Sequence, residues 1–278
     1  MSLPIAANSP SVDFVLNVFE RTYRDLLQPG IIASRVARHS YPFAKIIVLV
    51  NNVDSRAEVN SFLTPLIANG EITAAYFVAD RLAEALRETH LSLAKLHRTI
   101  HYTDCALVAI FLPGSPYMLY SDADVLLAEP HNWITPALQI LQRDPRVAVV
   151  NPNWTPSTLQ HEAREYAGDF ALGYGFSDQL FLISRAEFRR PIYQDWAPVS
   201  WRYPLSHVTP IFEQRVDAYM RVNRRLRATY TKARYIHDAD EGVSYRHMGF
   251  AAKWKRRFMY ALMSLGELTP GRDPRYHT

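Results

Sequence analysis

Residues 117–127 read Tyr-Met-Leu-Tyr-Ser-Asp-Ala-Asp-Val-Leu-Leu, a short apolar run that ends in two carboxylates, Asp122 and Asp124. Side chains alternate along a strand, so residues 122 and 124 are expected on one face with only the small Ala123 between them. Two carboxylates aimed the same way suit one hard divalent cation, Mg²⁺ or Mn²⁺, which prefers oxygen ligands and keeps positions open for phosphate. The same spacing also occurs in ordinary strand-end turns, so the flanking sequence has to decide.

At 278 residues, with 48% apolar and 21% charged side chains, the chain can bury the core of one large α/β domain. A single cysteine, Cys105, allows no internal disulfide, and no Cys/His cluster has zinc spacing, which suits a reducing cytoplasm. The start has no basic n-region, and no apolar run approaches the ~18 residues a spanning helix needs. The expectation is a cytoplasmic protein, soluble or peripheral on the inner face of the membrane. The formal charge of +4 is mild, but it is unevenly spread. Arg221, Arg224, Arg225, Arg227, Lys232, Arg234, Lys253, Lys255, Arg256 and Arg257 crowd the last quarter, as a diphosphate, an acidic lipid or nucleic acid would favour. No recognition-helix, RNP-type or zinc-finger pattern is present, so nucleic acid is not expected.

Taken in order, residues 12–18 and 44–50 read as strands, the second an unbroken apolar run suited to burial on both faces. Ser55-Arg56-Ala57-Glu58 has capping-box spacing ahead of an apolar helical face. A third strand is expected at 72–78, followed by Asp80 as N-cap of a long amphipathic helix reaching Leu96. This β-α alternation predicts a mostly parallel central sheet with helices on both faces and ligands at the carboxyl ends of the strands. Residues 147–154 read as a strand closed by a proline turn, and 171–184 as a glycine-rich bend leading into a strand. Asp178 beside that bend could meet a sugar hydroxyl or simply satisfy turn amides. A helix from residue 211 carries Glu213 and Asp217, and a strand over 226–237 ends in His237. Residues 249–266 place Trp254 and Phe258 on one helical face beside a basic cluster, an interfacial pattern that a packed terminal helix also shows.

An apolar strand running into Asp-x-Asp resembles the metal-binding motif of GT-A glycosyltransferases. Asn51-Asn52-Val53-Asp54-Ser55 resembles the Asn-Asn-x-Ser-x-Asp loop of family 2 of these enzymes. The resemblance implies a GT-A domain over 11–240, with a nucleotide half (11–127) and an acceptor half (128–240), followed by a basic tail (241–278). It implies nucleotide-sugar contacts at Glu20, Arg21, Asn52, Asp54, Asp122, Ala123 and Asp178, and a metal held by Asp122, Asp124 and His237, with His247 as the competing ligand. Glu213 would be the general base, with Asp217 one turn further on as its reserve, since the chain has Glu213-Gln214 where the family has Glu-Asp. The implied reaction is metal-dependent (Mn²⁺ or Mg²⁺) transfer of a hexosyl group from a nucleoside-diphosphate sugar, UDP first with GDP and dTDP open. The acceptor would be a hydroxyl of a glycan or lipid-linked acceptor, and the anomeric centre would invert. Two rival classes are a haloacid-dehalogenase-type phosphotransferase and a non-catalytic membrane-docking protein. The former expects its Asp-x-Asp early and followed by Gly-Thr, whereas here Val-Leu-Leu follows; the latter leaves the carboxylates unexplained.

Overall fold

The computed structural model describes residues 10–154, 163–203 and 209–237, together with 254 and 258. Its strands are β1 (Val12–Phe19), β2 (Lys45–Asn51), β3 (Ala74–Phe77), β4 (Tyr117–Ser121), β5 (Val125–Leu127), β6 (Val147–Asn153), β7 (Ala163–Ala167), β8 (Phe170–Gly173), β9 (Leu180–Ser184) and β10 (Leu226–His237). Its α-helices are α1 (Tyr23–Leu26), α2 (Ile31–Ala37), α3 (Arg56–Ala68), α4 (Val78–Glu88), α5 (Leu93–Leu96), α6 (Asp104–Phe111), α7 (Ile134–Arg143), α8 (Arg185–Phe188) and α9 (Phe212–Val222). The strands form one sheet in the order β3-β2-β1-β4-β9-β6-β10-β8-β7, with β5 paired to β10.

Alternation along β1 divides the interior. Val12, Phe14, Leu16 and Val18 enter a core closed by α1, α2, α3 and α7, while Val15 faces a second core closed by α4, α6 and α9. Helices therefore cover both faces, as expected for an α/β chain. Each fully buried Val, Leu or Phe in these cores contributes about 1.5–3 kcal/mol of transfer free energy. Ser55 caps α3 by accepting from the Glu58 amide, but Glu58 does not complete the box; its carboxylate pairs with Arg24 instead.

Several sequence expectations need correction. The sheet is mixed: β3-β2-β1-β4 and β6-β10 are parallel, but β9 runs antiparallel to both β4 and β6, and β8 to both β7 and β10. The β7–β8 link is only Gly168-Asp169, with Gly168 at φ 59°, and so short a link can join only antiparallel strands. The third strand is confined to Ala74–Phe77, and Val78 already opens α4. Phe77, not Asp80, is the N-cap; Asp80 sits in the first turn and pairs with Arg56. The long helix stops at Glu88, where His90 takes a left-handed φ of 55° and the Leu91 amide bonds back to Leu86 O at 3.0 Å, a Schellman closure. Pro152 does not end its strand; it lies within β6, opposite Tyr230. The 249–266 tail and His247 lie outside the described residues, apart from Trp254 and Phe258, which are exposed.

Candidate active site

The carboxyl ends of β1, β2 and β4 lie side by side, with Phe19 opposite Asn51 and Leu16 opposite Ser121. Strand β4 stops at Ser121, so Asp122-Ala123-Asp124 is a turn, and the strand alternation expected to aim both carboxylates at one point does not extend through it. The Val125 amide closes the turn on Asp122 O at 3.3 Å. From α2, the buried Arg35 guanidinium donates through one nitrogen to Ala123 O at 2.7 Å and Val125 O at 2.6 Å, gripping the backbone on both sides of Asp124. Arg38, one turn later, holds Leu127 O and Ala128 O.

Asp122 Oδ1 accepts from Asn17 Nδ2 at 2.8 Å and from the Ala123 amide at 3.2 Å. Burial, opposed by the Asn17 bond and reinforced by neighbouring Asp124, pushes its pKa up to about 6. Asp124 goes the other way. Its Oδ2 lies 3.6 Å from His237 Nδ1, and that imidazole holds the carboxyl below the usual carboxylate range. His237 arrives because β5 pairs antiparallel with β10, setting Val125 opposite His237; its Nε2 lies 2.8 Å from Gln179 Oε1.

Asp178 and Glu213 meet beside this turn, the Asp178 amide donating to Glu213 Oε1 at 3.3 Å. Burial pushes Glu213 up to about 7, and burial with the adjacent Glu213 and Asp122 charges pushes Asp178 well above its ordinary value. Two carboxyls this close cannot both ionise cheaply, so the pair holds a proton near neutrality. Asp217 is different. It is 0% exposed and accepts from Ser200 Oγ at 2.6 Å and Arg221 Nε at 2.9 Å, with Arg202 Nη2 at 3.5 Å. Burial alone would raise its pKa, but Arg202, Arg221 and Ser200 bring it below the usual range. It is an ionised, saturated anchor, whereas Glu213 is partly exposed and poised.

In the neighbouring loops, Glu20 accepts from the Asp54 amide at 2.9 Å and pairs with Arg24, tying the loop after β1 to the loop after β2. The side chains of Arg21 and Asp54 are exposed, as is Asn52, whose φ is 47°. Ala123 is buried within the turn. The structure thus gathers Asp122, Ala123, Asp124, His237, Asp178 and Glu213 in one place, and Glu20 with Asp54 in an adjoining one.

Asn17 and Gln179 escaped the sequence reading. Asn17 left a signal, a lone amide near the end of an apolar strand whose register places it beside Asp122. Gln179 left none, because its role exists only once β9 lies against β4. The donors suit a hard divalent cation: two carboxylates of unlike basicity and an imidazole. Among the described residues no group of three or more His, Cys, Asp or Glu is placed so that it could hold a metal ion. An open arrangement fits Mg²⁺ or Mn²⁺, which take few protein ligands and complete their shells with water and phosphate.

No family model matches the chain, and no curated protein matches it. Among solved structures it is similar to glucosyl-3-phosphoglycerate synthase from Mycobacterium tuberculosis in complex with Mn²⁺, UDP and phosphoglyceric acid, at 12% identity over 92% of this chain and 78% of that one, TM-score 0.43. The same synthase with Mg²⁺ and UDP aligns at 13% identity over 92% and 79%, TM-score 0.44. GalNAc-T7 with UDP, GalNAc and Mn²⁺ aligns at 11% identity over 84% of this chain and 44% of that one, TM-score 0.43. Likenesses this distant establish no family.

Proposed function

We propose that the chain is a GT-A glycosyltransferase that moves a hexosyl group from a nucleoside-diphosphate sugar, UDP first, to a hydroxyl acceptor of glycan or lipid-linked type, with inversion. The observation that carries the reading is the meeting of the Asp122-Ala123-Asp124 turn with Glu213 and His237 at the carboxyl ends of parallel strands. Asp122 and Asp124, with His237 beside them, would hold Mn²⁺ or Mg²⁺; that cation would supply charge neutralisation for a departing diphosphate. Glu20, Arg21, Asn52 and Asp54 form the adjoining rim and are assigned to the nucleoside side, with Asp178 toward the sugar. Glu213 is assigned as general base: its raised pKa leaves a carboxylate basic enough to take the acceptor hydroxyl proton near neutral pH. Asp217, ionised and held by two arginines, orients the helix that carries Glu213.

Among the described residues no helix is long and apolar enough to cross a membrane. For the basic tail, packing on the domain and docking on an anionic membrane surface are the two readings: sedimentation on anionic vesicles that weakens with salt supports docking, and no sedimentation at low salt supports packing.

Calorimetric titration with UDP tests the central reading. Binding should require Mn²⁺ or Mg²⁺ and vanish in Asp124→Ala; cation-independent binding that survives the substitution overturns it.

A further inference from the structure

Helix α9 carries Glu213, Asp217 and Arg221 at successive four-residue steps, one stripe along a single face. Arg221 is held by Nε alone, 2.9 Å from Asp217 Oδ2, and its guanidinium lies over the Tyr174 ring at 5.1 Å. Its side chain is only 9% exposed, yet among the described residues neither terminal nitrogen donates to a protein acceptor. A guanidinium fixed at one nitrogen, with its planar fork open, is preorganised for bidentate pairing with an oxyanion. Arg164, on β7, stacks on the same Tyr174 ring at 4.4 Å, and Arg202 lies 3.5 Å from Asp217 on the other side. Helical side chains lean toward the helix N-terminus, so the Arg221 fork sits over Asp217, about one turn (~5.4 Å) from Glu213.

We infer that Arg221, with Arg164 and Arg202, binds a phosphate group on the acceptor, positioning its hydroxyl toward Glu213. Arg221 and Arg164 on one Tyr174 ring, with Arg202 and Arg221 flanking Asp217, make a cationic surround that suits a dianionic phosphate better than a singly charged carboxylate. The acceptor assignment rests on the glycosyltransferase reading; the anion site itself does not.

Inorganic phosphate titrated into the full-length protein in EDTA, followed by ³¹P line width, tests the site. Wild type and Asp124→Ala should bind alike, Arg221→Gln should bind at least tenfold more weakly, and acetate should bind more weakly than phosphate. Phosphate should also slow phenylglyoxal modification of Arg221 in the wild-type protein, mapped by peptide mass spectrometry, which keeps the test valid if Arg221→Gln does not fold. Equal phosphate binding by wild type and Arg221→Gln, or an unchanged modification rate, overturns the site; acetate binding as tight as phosphate overturns the phosphate assignment. Arg221-dependent phosphate binding without cation-dependent UDP binding leaves the anion site standing and overturns only the acceptor role.

Discussion

Asp124 and His237 are far apart along the chain yet lie 3.6 Å apart, Oδ2 to Nδ1, because β5 pairs antiparallel with β10. The imidazole is fixed from the other side by Gln179. If this pair takes part in cation binding, His237→Ala should lower Mn²⁺ affinity by about 10–100-fold, the range seen when a ligand or its orienting partner is lost. Mn²⁺ electron paramagnetic resonance reads this without turnover, and unchanged affinity would remove His237 from the site.

Arg35 reaches from α2 to carbonyls on both sides of Asp124. Arg35→Met leaves two carbonyls short of a charged donor, and we expect a loss on the order of 2–4 kcal/mol in denaturant unfolding. Mn²⁺ affinity should fall with it, as the turn loosens. A variant as stable as wild type would show that the turn holds its shape without this clamp.

The carboxyl of Glu213 is raised by burial to about 7, from 4.5. A base must be ionised, so turnover should rise with pH through about 7 and then level off. Stability runs the other way. The folded state binds the proton more tightly than the unfolded chain, so the stability tied to this group is present below pH 4.5 and is lost as pH rises through about 7. Glu213→Gln should therefore be more stable than wild type at pH 8, by something on the order of 2 kcal/mol, and should lose about 10²–10⁴ in turnover. A pH-independent rate would move the base elsewhere.

Asp217 offers the contrast. Asp217→Asn strips the charge between Arg202 and Arg221 and should cost about 3–5 kcal/mol, read as a lower unfolding midpoint. A fully stable Asp217→Asn variant with turnover reduced as far as in Glu213→Gln would reverse the two assignments.

At the opposite end of the strands, Asp13 is pinned by the Ser115 amide and hydroxyl, each at 2.7 Å, and by Arg185 at 3.4 Å. A Cβ added at Gly114 would lie 1.8 Å from Asp13 Oδ2. Gly114→Ala should therefore destabilise the fold by about 1–3 kcal/mol without altering cation or nucleotide affinity, because the strain lies far from the carboxyl ends. Wild-type stability in thermal unfolding would mean the loop can shift away.

What the sequence determined by itself was local. The apolar runs of β1, β2 and β6, the Ser55 cap, and the strand from Leu226 to His237 follow from periodicity and capping chemistry, both written into neighbouring residues. So does the presence of two carboxylates at the end of β4. Tertiary structure decided everything that depends on which strand lies beside which. The antiparallel insertion of β9 makes the sheet mixed and delivers Gln179. The β5–β10 ladder brings His237 to Asp124, and the register of β1 against β4 brings Asn17 to Asp122. Glu213 and Asp217, alike in sequence and four residues apart on one helix face, become unlike groups for the same reason. Only the packed fold sets Asp178 against the first and Arg202, beside the helix's own Arg221, against the second, and a carboxyl's proton affinity is fixed by its neighbours in space.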